Sequence, residues 1–120
     1  MSRSKVLIID DDPDVLQLLR LVLEQAGYAP ALASDGLTAL RRIEEERPMV
    51  VLLDVMMPVM DGWEVLEMLA EAPSHPPVVV ISAKTTERDR ARAFELGAAE
   101  FVPKPFTPES VVATIARVLS

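Results

Sequence analysis

Short, continuous apolar runs alternate along this chain with stretches whose apolar residues recur every third or fourth position. Val6-Leu7-Ile8-Ile9 is apolar, rich in β-branched residues and halted by acids, which predicts a buried strand. Met49 to Leu53 is the most apolar run and predicts a second buried strand, as does Val78 to Ile81. Tyr28 to Ala33 predicts a weaker strand whose Pro30 suits an edge or entry position, and Phe101-Val102 a short one. The intervening stretches carry helix signals. Asp12-Pro13-Asp14 supplies an N-cap acid, a proline for the first helical position and an acid for the first turn. Val15, Leu16, Leu19, Val22, Leu23 and Ala26 follow at helical spacing until Gly27. Ser34-Asp35-Gly36 opens a helix to about Glu46, with Leu37, Leu40 and Ile43 expected to face inward and Pro48 ending the region. Trp63 to about Glu71 predicts a short helix, followed by a Pro-rich loop to Pro77. Thr86 and Asp89 form a loose capping box for a helix to Leu96, closed by Gly97. That helix is unusually polar, with Ala91, Phe94 and Leu96 as its expected anchors. Pro108 to Leu119 predicts a last helix with Val111, Val112, Ile115, Val118 and Leu119 on one side.

Strand then helix, five times over, implies an α/β fold with a parallel sheet covered on both faces and right-handed crossovers. The 120 residues suit one domain, residues 1–120, with one core. No repeat or low-complexity segment interrupts the pattern, and the last helix runs to the end of the chain, so no linker or second domain is expected. Half of the residues are hydrophobic (50%) and 26% are charged, which argues against disorder. A formal net charge of −7 argues against direct nucleic acid binding or attachment to an anionic membrane. The absence of cysteine excludes disulfides, thiolate catalysis and cysteine-built metal clusters. The start is short and polar and no run approaches a membrane span, so a soluble, cytoplasmic protein is expected.

The strand ends carry the chemistry. The first ends in Asp10-Asp11-Asp12, the third in Asp54, the fourth in Ser82, and the fifth leads into Lys104-Pro105. In an open parallel sheet the carboxyl ends of the strands share one edge, where ligands bind. Asp12 reads as a helix cap and Asp61-Gly62 as a turn. Asp10, Asp11 and Asp54, brought together, would repel; two such charges about 4 Å apart cost roughly 4 kcal/mol at an effective dielectric near 20. All-oxygen donors of this kind suit a hard cation, Mg²⁺ or Mn²⁺. A cation and a lysine around a carboxylate can neutralise phosphoryl oxygens, and a carboxylate is a competent nucleophile toward phosphorus.

The stretches "VLIIDDDPDVLQLL", "VVLLDVMMPVMDGWEVL" and "VVVISAKTTERDRARAFELGAAEFVPKPF" resemble, in order and spacing, the receiver domains of two-component response regulators, chemotaxis-regulator-like, over nearly the whole chain. The resemblance implies a single flavodoxin-like doubly wound domain, a five-stranded parallel sheet of order 2-1-3-4-5 with five helices. It implies that Asp54 is the phosphoacceptor, taking a phosphoryl group from a histidine kinase or histidine phosphotransfer protein. Asp10 and Asp11 would be the acidic pair for Mg²⁺, Asp11 directly and Asp10 mainly through water, with the Met56 backbone carbonyl as a further ligand. Ser82 would swing toward the phosphate, and Lys104 would pair with a phosphate oxygen, ahead of a cis bond to Pro105. Phe101 would be the switch aromatic, turning inward as Ser82 moves. Family members often carry threonine and tyrosine where this chain has Ser82 and Phe101. The domain would catalyse its own phosphorylation and dephosphorylation without a separate substrate. The face of its fourth helix, fifth strand and fifth helix, from about residue 84, would control a downstream protein or attached output, as a monomer or a phosphorylation-linked dimer. Met57 and Met60 beside Met56 read as packing residues, Lys84 and Met56 as flanking the path of attacking water, and His75 as a bystander. Trp63 is placed to report on the site by fluorescence.

Three other classes fit less well. A phosphatase with an aspartyl nucleophile would want a general acid two residues on, where Met56 stands, and a cap domain. A flavodoxin-like electron carrier would want a hydroxyl-rich loop after the first strand, where three acids stand and would repel a flavin phosphate. A receiver-like module that is never phosphorylated would have no use for Asp10, Asp11, Asp54, Ser82 and Lys104 together.

Overall fold

Five strands alternate with five helices in the computed structural model, which describes residues 3–56, 61–83 and 85–120. Met57, Met60 and Lys84, singled out in the sequence, lie outside the described residues. The strands are β1 (Lys5–Ile9), β2 (Ala29–Ala33), β3 (Val50–Asp54), β4 (Val78–Ser82) and β5 (Glu100–Pro103). The helices are α1 (Pro13–Gln25), α2 (Gly36–Glu46), α3 (Gly62–Glu71), α4 (Glu87–Glu95) and α5 (Pro108–Leu119). All ladders are parallel and the strand order is β2-β1-β3-β4-β5. Chain order reverses between β1 and β3, so the carboxyl ends of those two strands flank the switch point where such sheets bind ligands. Among the described residues no helix is long and apolar enough to cross a membrane.

Alternate residues of the buried strands feed two cores, one on each sheet face. Leu7, Ile9, Val51, Leu53, Val78 and Val80 pack with α2, α3 and Ala93 of α4. Val6, Ile8, Val50, Leu52, Val79 and Ile81 pack with α1 and α5. Pro30 lies in β2, which is an edge strand, where its missing N–H leaves no gap in the interior of the sheet.

Helix starts follow the capping signals. Asp12, Asp35, Thr86 and Thr107 are N-caps whose side chains accept backbone N–H groups of Asp14, Thr38, Asp89 and Ser110. Gly27 and Gly97, just beyond α1 and α4, adopt left-handed φ values of 94° and 100°, which a side chain would strain.

Some expectations are corrected. Leu37 does not face inward; it is 65% exposed, and Ala39 takes the buried position. Gly36, Ala39, Leu40 and Ile43 fall within one arc of α2, and Leu37 lies about 100° from Gly36 on the helical wheel. Ala91 and Phe94 do not anchor α4: both are exposed, and the buried residue is Ala93, with Leu96 partly packed. Phe94 follows Ala93 by one position and so points away from the buried stripe. The third strand is shifted by one residue, with Met49 exposed and Asp54 inside the strand as its last residue. Asp61-Gly62 is a helix start rather than a free turn, Asp61 accepting from the Glu64 N–H at 3.0 Å.

Candidate functional site: an acidic rim with a lysine

The sheet register brings the polar strand ends to one rim. Ile9 pairs with Leu53, so Asp10 continues β1 beside Asp54 at the end of β3. Asp54 pairs with Ile81, one residue before Ser82, and Ser82 pairs with Pro103, one residue before Lys104. The Lys104 N–H donates to the Ser82 carbonyl at 2.9 Å, tying the last two strand ends together. The Lys104–Pro105 bond is cis.

Carboxylate oxygens of Asp10, Asp11 and Asp54 all lie within 4.8 Å of one another. Asp10 and Asp54 are buried, at 3% and 4% exposure, whereas Asp11 is exposed. Each buried acid is fixed by its own following loop. Asp10 Oδ1 accepts the Asp12 N–H and Asp54 Oδ1 accepts the Met56 N–H, both at 2.9 Å. Their second oxygens face Lys104, whose Nζ lies 3.1 Å from Asp10 Oδ2 and 3.5 Å from Asp54 Oδ2. Asp12 lies outside this group and caps α1.

Burial pushes the Asp54 carboxyl up to about 6 from 3.8, the Asp10 charge adding to the rise while the Met56 N–H and Lys104 oppose it. Burial alone would pull Lys104 down, but its hydrogen bond to Asp10 and the charges of Asp54 and Asp10 outweigh it and raise the ammonium's pKa. Asp54 is therefore mainly a carboxylate near pH 7, with an oxygen more basic than that of an ordinary aspartate. Among the described residues, three carboxylates converge here while one ammonium pairs with two of them, which leaves negative charge in excess, and the donor set is all oxygen, which fits a hard divalent cation. Such an ion, when bound, would neutralise phosphoryl oxygens beside Asp54.

Ser82 is fully buried at the end of β4. Phe101, expected to turn inward as Ser82 moves, is already inward here, at 8% exposure, with the Arg90 guanidinium 5.2 Å from its ring centroid. Met56 is exposed and apolar at the place where an aspartyl phosphatase would need its acid. His75 is exposed in the loop before β4, outside the acidic rim.

Gly62 is the position whose importance the sequence understated. Its N–H donates to the Val55 carbonyl at 3.2 Å. A Cβ there would stand 2.3 Å from Val55 Cα and 2.5 Å from the Asp54 carbonyl oxygen. α3 therefore abuts the backbone of Asp54 and Val55, and only a residue without a side chain permits that approach. A glycine opening a helix soon after a strand-end acid was the available signal, and it looked like turn chemistry.

The family model of the response regulator receiver domain matches residues 6–116. The alkaline phosphatase synthesis transcriptional regulatory protein PhoP of Bacillus subtilis is 39% identical over 116 residues, 97% of this chain and 48% of that protein. The DNA-binding response regulator MtrA of Mycolicibacterium smegmatis is 41% identical over 113 residues, 94% of this chain and 49% of its own length. The chain thus spans about half the length of the curated relatives it matches. Among solved structures, chemotaxis protein CheY4 of Vibrio cholerae superposes with a TM-score of 0.93 at 32% identity, covering 98% of this chain and 100% of that one. The BeF3-activated DrrB receiver domain gives 0.87 at 32% identity, covering 98% and 97%. With its five-stranded 2-1-3-4-5 sheet and an acidic rim at the switch point, the chain belongs to the receiver domains of two-component response regulators, phosphorylation-dependent switches in signal transduction.

Proposed function

We propose that Asp54 is the phosphoacceptor of this receiver domain, and that Asp10, Asp11 and Asp54, with the Met56 backbone carbonyl, hold Mg²⁺, for which Mn²⁺ can substitute. One observation carries the reading: among the described residues, three carboxylates converge within 4.8 Å while the Lys104 ammonium bridges the two buried ones. An Asp54 oxygen attacks the phosphorus of a phosphohistidine on a histidine kinase or phosphotransfer protein. A P–O bond forms, the P–N bond breaks, and the donor imidazole leaves and takes up a proton. Lys104 then turns its Nζ from the carboxylates to a phosphoryl oxygen, and the Ser82 hydroxyl donates to another. Slow attack by water on the acyl phosphate resets Asp54, so turnover is confined to the domain's own phosphoryl group.

The output runs through the face of α4, β5 and α5. α4 buries only Ala93 among its residues, so little apolar area resists its displacement. Phe101 lies beneath it and moves with Ser82, and the face passes the change to a protein partner or an attached output. Amide exchange of residues 85–104 with and without beryllofluoride tests this part; equal protection in both states would refute it.

Intact mass after incubation with acetyl phosphate tests the acceptor chemistry. One added phosphoryl group is expected with Mg²⁺, and none with a chelator or in Asp54→Asn. An equal adduct in Asp54→Asn would overturn the assignment.

A further inference from the structure

Two arginines of α4 reach aromatic rings on either side of that helix. Arg90 lies over Phe101 of β5, while Arg92 lies over Trp63 of α3, its guanidinium carbon 4.3 Å from the ring centroid. The second contact has a consequence for the reaction centre. Trp63 is buried and directly follows Gly62, the residue that abuts the Asp54 carbonyl and the Val55 backbone. A displacement of the α3 N-terminus is thereby felt by the backbone that carries Asp54. Arg92 reaches this junction from α4, an element whose other packing is one buried alanine, a partly packed Leu96 and the Arg90 contact to Phe101.

We propose that Arg92 is a positioning residue for the Asp54 site, acting through Trp63, and that it makes the placement of α4 and the reactivity of Asp54 interdependent. The inference rests on Asp54 being the phosphoacceptor and on α4 shifting when it is modified. The clamp coexists with Lys104 engaged by Asp10 and Asp54, the arrangement that phosphorylation has to undo. A contact made in one arrangement and lost in the other biases the equilibrium by its own strength. An exposed guanidinium over an indole contributes on the order of twofold to fivefold in such an equilibrium. Arg92 is exposed, so the lower estimate for cation–π contacts applies.

Removing the clamp therefore makes phosphorylation easier. A purely electrostatic role predicts the opposite sign, since loss of a cation weakens attraction of an anionic phosphodonor. The experiment compares the wild-type chain with Arg92→Met, which keeps an apolar stem, and Arg92→Lys, which keeps a cation. Acetyl phosphate with Mg²⁺ is the probe, followed by intact mass, and amide exchange of residues 87–95 is measured without phosphodonor. Arg92→Met is expected to phosphorylate about twofold to fivefold faster and to exchange its α4 amides faster by a similar factor, with Arg92→Lys between it and the wild type. Slower or unchanged phosphorylation of Arg92→Met, while the wild type forms its adduct, would overturn the proposal. Failure of the wild type to form any adduct would instead overturn the phosphoacceptor assignment, and this inference with it.

Discussion

Replacing Asp54 by asparagine should stabilise the metal-free protein near neutral pH. The folded carboxyl is pushed up to about 6 from 3.8, so the folded state binds the Asp54 proton more tightly than the unfolded chain does. Stability contributed by this group is thus present below pH 3.8, is lost as pH rises toward 6, and stays lost above it. Two pKa units at about 1.36 kcal/mol each give roughly 3 kcal/mol of destabilisation at pH 7. Asparagine removes that charge while its side-chain oxygen can still accept the Met56 N–H. The attraction of Lys104 is already contained in that shift, but the asparagine NH2 takes the place of the oxygen that faces Lys104, a donor against a donor, which offsets part of the gain. The expected net stabilisation is about 1–2 kcal/mol, equivalent to a urea midpoint higher by roughly 0.5–1 M at a typical slope for a small domain. At pH 4 the unfolded chain also carries much of the proton, the Asp54 penalty falls to about 0.5 kcal/mol, and the variant's advantage should vanish or reverse. Urea unfolding in chelator at both pH values is the assay. A variant less stable than the wild type at pH 7, or an equal gap at pH 4 and pH 7, would refute the claim that burial and acid crowding set the energy of Asp54. Mg²⁺ should then stabilise the wild type more than the variant, because a ligand that binds only the folded state adds to its stability.

Other perturbations separate the site from the scaffold. Lys104→Met takes away one of the groups that lower Asp54, so the Asp54 carboxyl should titrate higher still and the protein should lose about 1–3 kcal/mol at pH 7, less at pH 4; carbon-detected NMR titration and urea melts check both. Gly62→Ala forces a methyl group onto the Asp54–Val55 backbone and should cost at least about 2 kcal/mol while also slowing phosphorylation; an unchanged urea midpoint would show that the strand–helix approach is not tight. Leu37→Ala should change stability by less than about 0.5 kcal/mol, and Leu19→Ala by about 2–5 kcal/mol, since the first is exposed and the second lies on the buried face of α1.

The alternation of strands and helices could be read from the chain because each buried strand is continuous and most helices, α3 excepted, announce their start. Asp12-Pro13 and Thr86 both mark observed caps. The rim could be read because parallel strands share one carboxyl edge, so Asp10, Asp54, Ser82 and Lys104 had to meet there once the sheet formed. Orientation within a helix was harder. Leu37 is apolar and sits in the first turn of α2, but a hydrophobic residue alone does not fix the rotation of the helix; the neighbouring Ala39 does, by fitting against the sheet. The same limit applied to Phe94 against Ala93. The Arg90–Phe101 and Arg92–Trp63 contacts join residues far apart in sequence and depend on where α4 settles, which no local pattern encodes. Gly62 needed knowledge of the backbone it approaches, and in sequence it carries only the signature of a turn.

The central claim is that Asp54, among all the acids of the rim, carries the phosphoryl group. Borohydride reduces an aspartyl phosphate to homoserine, so the protein treated with acetyl phosphate and Mg²⁺ can be reduced, digested and mapped. The account predicts homoserine at position 54 alone, absent when Mg²⁺ is chelated. Homoserine at Asp10 or Asp11, or a phosphorylated chain whose Asp54 survives reduction unchanged, would contradict it.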